Sequence, residues 1–299
     1  MFKNLSMTAL GITAGESQRI ELALTHRFRG LELDLPELLE KIERFDLAHA
    51  RRFIDSAKMQ IGEFQLPFAV DADEATYRAE LAKLATTAAT LGQMGARRCV
   101  TTIAPASDTA PYHQNFELHR ARFSEIGDLL AAQGISLGVG FDSVAGDRED
   151  RAFEFVHDVE AFAVLLSTTA STNVGAIVDT WQLYACGGSF ERLERLGAGR
   201  IVAVYLSDAP ADVAPAELTA QQRLLPGQTG VIDCAALLVR LAELGYDGPI
   251  TPAASRAQLD GLNTEGIVRK AAEALDAVWK TAGLAPSGKL LSTANSSSS

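Results

Sequence analysis

Eight short β-rich runs alternate with amphipathic helical stretches along the 299 residues. Several of those runs are apolar on both faces, and no GxGxxG follows the first of them. These three observations predict an α/β fold, a single-domain (β/α)₈ barrel. An open doubly wound sheet is the rival, but it carries a glycine-rich phosphate loop after its first strand. Eight strand–helix units also suit the ~250 residues of a barrel.

The expected strands are Leu5–Ile12, Gly30–Asp34, Met59–Leu66, Arg97–Ile103, Ser136–Phe141, Val174–Asp179, Arg200–Leu206 and Gly248–Thr251. VGAIVDT and IVAVYLSD are almost wholly apolar, the pattern of strands covered on both faces in a parallel sheet. Between the second and third runs, Leu38, Leu39, Ile42, Phe45, Ala50, Phe53 and Ile54 recur at three- and four-residue spacing. Tyr77, Leu81, Leu84, Ala88 and Leu91 repeat the pattern, and that helix stops at glycine. NFELHRARFSEIGDLLAAQG stops at Gly134, and FEFVHDVEAFAVLLST, FERLERLG, CAALLVRLAELG and EGIVRKAAEALDAVWKTAG complete the series. From Ala285 onward the chain is Ser-rich without apolar periodicity, so a barrel over 1–284 and a disordered tail over 285–299 are expected.

Composition narrows the function. Twenty-seven basic and 38 acidic residues leave a net charge of −11, and no Lys/Arg run offsets it. A polyanion repels phosphate backbones, so no nucleic-acid partner is expected. No apolar stretch of ~18 residues suits a membrane, and the N-terminus reads as a first strand, not a signal peptide. Cys99, Cys186 and Cys234 are far apart without a CxxC, which fits a reducing cytoplasm and buried thiols rather than a thiolate zinc site. GxSxG, P-loop and HExxH motifs are absent.

Ligands of a barrel bind at the C-terminal ends of its strands. The candidates there are Gly11 or Thr13, Glu32, Asp34, Glu63, Gln65, Thr102 with Pro105, Gly140, Asp142, Asp179, Gln182, Tyr205, Asp208 and the 251–254 segment.

The segments FRGLELD (28–34), LGQMGARRCVTTIAP (91–105), PYHQNFELHRARFSEIGDLLAAQGISLGVGF (111–141), NVGAIVDTWQLY (173–184), RIVAVYLSDAP (200–210), RLLPGQTGVID (223–233) and GYDGPITPA (245–253) share an order and spacing with one family. The chain resembles the xylose-isomerase-like barrels, which include sugar phosphate isomerases and epimerases, hydroxypyruvate isomerase, inosose dehydratase and type IV AP endonuclease. The resemblance implies one divalent metal held by Glu, Asp, His and Glu on strands five to eight. At those positions this chain has Gly140, Asp179, Tyr205 and Ala253, and Gln182 where a His is usual. Only Asp179 remains. By the same resemblance the two missing Glu residues are the acid/base pair that moves a proton through an enediol. Loss of a positioned acid or base costs about 10²–10⁴-fold in rate, and loss of the metal removes carbonyl polarisation. A degenerate member without a cofactor is therefore expected. If activity survives, its cofactor is Mn²⁺, Mg²⁺ or Zn²⁺.

The remaining polar groups frame a ligand site. His113, Asp179, Trp181, Gln182, Tyr205, Asp208 and Arg223 are candidates to bind a sugar, polyol or keto acid. Arg223 is an anion clamp, Trp181 with Tyr184 a stacking face, and Tyr205 a plug for the vacated metal space. Glu32 and Glu63 alternate with apolar neighbours and are candidate replacement bases, one of them paired with Arg223 or a lysine. His119 reads as a surface or packing residue. Two other readings stay open. One is an active isomerase with relocated ligands (Asp179 with Glu32, Glu63, Asp142 or Asp208), and the other is a partner-binding barrel. The oligomeric state is not legible.

Overall fold

The computed structural model describes residues 1–291. Eight parallel strands close into a barrel: β1 (Phe2–Leu5), β2 (Gly30–Leu33), β3 (Gln60–Gln65), β4 (Arg98–Ile103), β5 (Ser136–Phe141), β6 (Val174–Asp179), β7 (Ile201–Leu206) and β8 (Pro249–Pro252). Each pairs with its sequence neighbours, and β1 pairs with both β2 and β8. The predicted (β/α)₈ barrel is the observed fold.

Seven strands lie where the hydrophobic pattern puts them, within about two residues. The first does not. The expected run Leu5–Ile12 is a strand only up to Leu5, and Thr8–Leu10 winds into a 3₁₀ turn. Gly11 closes that turn at φ +62°, and its amide donates to the Thr8 carbonyl. An apolar run with a left-handed glycine inside it is turned, not extended. The true strand, FKNL, alternates and places Asn4 in the barrel interior, where it is fully buried.

Among the described residues ten α-helices surround the barrel: α1 (Glu16–Thr25), α2 (Leu35–Arg44), α3 (Leu47–Ala57), α4 (Glu74–Met94), α5 (Tyr112–Ala131), α6 (Val159–Thr168), α7 (Thr180–Ala185), α8 (Phe190–Glu194), α9 (Cys234–Glu243) and α10 (Thr264–Thr281). Asp34, Asp46, Asp73, Asp158, Asp179, Asp233 and Asn263 cap helix N-termini by accepting backbone amides. Phe153–Glu154, expected to open a helix, instead pairs antiparallel with Ala106–Ser107 in a small ribbon. The core between strands and helices is one continuous apolar cluster that includes Phe64, Leu84, Ile126, Leu166, Leu238 and Leu275.

Past the expected boundary at 284, the chain folds back. The Ala285 amide donates to Lys289 O at 2.8 Å, the Leu291 amide to Gly283 O at 2.9 Å, and Trp279 Nε1 to Ala285 O at 2.9 Å. The rest of the expected tail, 292–299, lies outside the described residues. No helix among the described residues is long and apolar enough to cross a membrane.

Candidate functional site

A cavity of about 190 Å³ opens over the C-terminal ends of the strands. Gln65, Thr102, Gly140, Asp179, Gln182, Tyr205, Arg223 and Ala253 line it, with Ser6 and Thr8 from the β1 loop. Most follow from strand parity, because residues two apart on a strand share a face. Tyr205 packs on the apolar cluster of Val100, Ile177 and Ala203 beneath it.

The charged centre of this mouth is an ion pair. Arg223 Nη2 donates to Asp179 Oδ2 at 2.7 Å. The other carboxylate oxygen, Oδ1, accepts the amides of Trp181 at 3.0 Å and Gln182 at 3.4 Å, because Asp179 is also the N-cap of α7. Arg223 Nε donates to Ser207 Oγ at 2.7 Å, and Ser207 Oγ donates to Ala253 O at 2.7 Å. Both charged groups are therefore held from two sides. Gln182 Oε1 accepts from the Ser143 amide at 2.8 Å and the Ser143 hydroxyl at 2.6 Å, which fixes the β5–β6 side of the rim.

Gly140, Asp179, Tyr205 and Ala253 do converge on this cavity. As donors they do not fit a divalent cation. One carboxylate is available and it is ion-paired, the phenol is neutral, and the other two positions carry no side-chain donor; hard cations take several anionic oxygens. A Cβ at Gly140 would lie 3.3 Å from Thr102 Oγ1 and 3.4 Å from Ile177 Cδ1, so the neighbours have closed on that position. Among the described residues no group of three or more His, Cys, Asp or Glu is placed to hold a metal.

Four expected site residues are elsewhere. Asp208 is fully buried, and its oxygens accept the amides of Ala209 at 2.9 Å, Thr229 at 2.8 Å, Gly230 at 2.7 Å and Ile232 at 3.0 Å. Burial alone would raise its pKa, but those donors hold it below the usual carboxylate value. It organises the loop before α9 rather than a ligand. Trp181 is only 1% exposed and packs with Val144, Ala185, Ala209 and Leu218, while Tyr184 lies partly buried against the same cluster. Neither offers a stacking face to the mouth. His113 is exposed in the first turn of α5 and away from the lining. An indole and a carboxylate one or two residues past a strand end are turned by the helix and loop that begin there.

The two candidate bases differ. Glu63 is fully buried. Asn4 Nδ2 donates to its oxygens at 2.9 and 3.1 Å, and Tyr205 Oη donates weakly at 3.5 Å. Burial first, then the negative charge of Glu32, pushes its pKa up to about 8, so it is mainly protonated at neutral pH. One of Glu32 and Glu63 was expected to pair with Arg223 or a lysine, but Arg223 is bound to Asp179, and at Glu63 the donor is Asn4. Glu32 is half-buried at the rim, where Oε2 accepts from Ser6 Oγ at 2.7 Å and the Thr8 amide at 3.3 Å, and Oε1 from Gln65 Nε2 at 3.3 Å. Asp142 lies outside the lining. Burial and the nearby Asp147 raise its pKa.

His119 was missed. It is 5% exposed, and with the buried Asn115 it lines a separate 110 Å³ cavity beside Thr101 and Thr102 of β4. Its Nδ1 is 2.9 Å from Asn115 O, and burial lowers its pKa below the usual imidazole value. The signal was present: Asn115, His119, Phe123, Ile126 and Leu130 recur on the buried face of α5.

The description "xylose isomerase-like TIM barrel" matches residues 20–278. The chain belongs to this family. Over 269 residues it is 24% identical to an inosose isomerase of Bacillus velezensis, covering 87% of this chain and 91% of that one. A xylose isomerase domain protein from Alicyclobacillus acidocaldarius superposes with a TM-score of 0.84 at 23% identity, covering 94% and 99% of the two chains. The IolI protein, solved with a bound zinc atom, superposes at 0.76 with 18% identity and 95% and 98% coverage. At these identities the superpositions speak for the fold.

Proposed function

We propose that this chain binds a small polyhydroxylated molecule, such as a sugar, cyclitol, polyol or keto acid, at the barrel mouth without a divalent metal, and that it has left metal-dependent isomerisation. The observation that carries this reading is the Asp179–Arg223 ion pair. Asp179, at the one retained ligand position, is bound to a guanidinium and two amides instead of standing ready for a cation. A fixed carboxylate beside a fixed guanidinium offers acceptors and donors to hydroxyl groups, each of which both donates and accepts. Because neighbours hold both groups, little side-chain entropy is lost on binding.

The reading of an isomerase with relocated ligands is less well supported. Asp142 and Asp208 lie outside the mouth lining. Glu63 faces an amide. The three cysteines are free thiols, in keeping with the cytoplasm.

The test is calorimetric titration of the purified protein with Mn²⁺, Mg²⁺ and Zn²⁺, then with a sugar and polyol panel. Because the Bacillus relative is named for inosose, myo-inositol and its ketone begin that panel. The expected outcome is no saturable metal binding, and binding of a panel member that Asp179→Asn weakens about tenfold or more. One metal per chain, lost in Asp179→Ala together with isomerase turnover, would overturn the proposal.

A further inference from the structure

The mouth does not end at Thr8 and Gln65. Both residues also line a second cavity of about 370 Å³ that runs over the ends of β1, β2 and β3. Its character changes. Met7, Ile12, Ala14, Leu33, Leu35, Pro36 and Pro67 give it a largely apolar wall. Glu32 stands at the junction, accepting from Ser6 and Thr8 on one side and Gln65 on the other. The mouth alone is smaller than the about 300–1,000 Å³ of sites for drug-sized ligands, whereas the two adjoining cavities together fall within that range.

Charge limits the occupant further. Two cations line these cavities among the described residues, and both are engaged. Arg223 is on Asp179 and Ser207. Arg19 Nη2 donates to Glu37 Oε2 at 2.6 Å, and its Nη1 to Ala14 O at 2.8 Å. A phosphate calls for free donors, preferably cationic ones, and the carboxylates of Glu32, Asp34 and Asp179 would repel it.

We infer that the ligand is an unphosphorylated hydroxylated molecule carrying an apolar substituent of about aryl size. The hydroxylated part occupies the polar mouth beside Asp179 and Arg223, and the substituent lies in the groove against Ile12, Leu33 and Pro67. The inference rests on the mouth-binding reading above and names its ligand class. Apolar surface leaving water for an apolar wall supplies affinity that a bare sugar lacks.

The experiment is titration of the full chain with glucose, methyl β-glucoside, phenyl β-glucoside and glucose 6-phosphate, together with the corresponding myo-inositol, its phenyl ether and its monophosphate. In at least one series the phenyl compound is expected to bind about tenfold or more tighter than the unsubstituted one, and the phosphate more weakly than either. Ile12→Ser removes the phenyl advantage, so that phenyl and methyl compounds bind with similar affinity. Ile12→Ala, gentler on packing, reduces the advantage in the same direction, and thermal melts verify that both variants are folded. Equal affinity for phenyl and methyl compounds, with both weakened by Asp179→Asn, overturns the groove assignment and leaves the mouth reading standing. Tightest binding of the phosphate overturns the charge argument. No binding of any member at millimolar concentration overturns both readings.

Discussion

The two halves of the barrel mouth treat their carboxylates in opposite ways. In the β5–β8 half, Asp179 is matched by Arg223, and Asp208 by four backbone amides. In the β1–β4 half, Glu63 and Glu32 meet neutral donors only, Asn4 and Tyr205 for one and Ser6, Thr8 and Gln65 for the other. Asp179 and Asp208 are thus satisfied internally. The other half keeps a fully buried carboxyl that resists ionisation. The carboxyl with the raised pKa and the apolar groove both lie on that side, across the mouth from Asp179 and Arg223.

The largest effect expected from this contrast is at Asp208. Removing the carboxylate leaves four amides, at 2.7 to 3.0 Å from its oxygens, without their acceptor. Asp208→Ala is expected to destabilise the chain by about 3 kcal/mol or more in urea unfolding at pH 7. Its pKa is held below the unfolded value, so its stabilisation is present above about pH 4 and is lost as pH falls through the lower folded value. A loss below about 1 kcal/mol would show that the amides find water instead, and that this half is less tightly satisfied than its geometry implies.

Glu63 has the opposite sign. Its folded pKa, about 8, lies above that of a free carboxyl, so between about pH 4 and 8 the folded state holds a proton that the unfolded state has released. Stability therefore falls as pH rises through that window, on the order of 1 kcal/mol per pH unit, and levels off above it. Glu63→Gln mimics the protonated acid. It is expected to match the parent near pH 4, exceed it at pH 8, and flatten the slope between. Unfolding midpoints across that range measure it. An unchanged slope would mean that Glu63 ionises normally and that the two halves do not differ in this respect.

Sequence pattern carried the barrel, seven of its strands and the convergence of Gly140, Asp179, Tyr205 and Ala253, because parity on a strand is a local rule. It did not carry the partners. Asp208 is bound by amides that follow it by 21 to 24 residues in all but one case, and no residue type in TGVI announces a backbone donor. Asn4 lay outside the strand drawn for it, since the apolar run LSMTALGI hides the turn that Gly11 closes. With Asn4 outside that strand, neither Glu32 nor Glu63 has an evident neutral partner in the sequence, and a cation is expected for one of the two. The groove over β1–β3 depends on the same turn, because Met7, Thr8 and Ile12 reach it only when the chain leaves the sheet at Leu5.

One side-chain contact between β3 and β7 crosses the mouth, Tyr205 Oη to Glu63 Oε1 at 3.5 Å, and it gives the smallest effect. Burial, and then the charges of Glu63, Glu32 and Asp179, raise the phenol's pKa well above its ordinary value, so the hydroxyl remains a neutral donor across the accessible pH range. At that length the hydrogen bond is weak. Tyr205→Phe keeps the ring on Val100, Ile177 and Ala203 and deletes only the donor. Stability is expected to change by less than about 1 kcal/mol. The informative readout is the Glu63 titration, followed by carboxyl ¹³C shifts. The phenol favours the ionised carboxyl, so its loss should move the Glu63 midpoint upward by a fraction of a unit. A downward shift would mean that the carboxylic acid donates to the phenol, reversing the direction of the link between the halves. A shift of a full unit or more would mean that Tyr205 shapes the protonation of Glu63 as strongly as burial does, so that the β5–β8 half governs a carboxyl in the other.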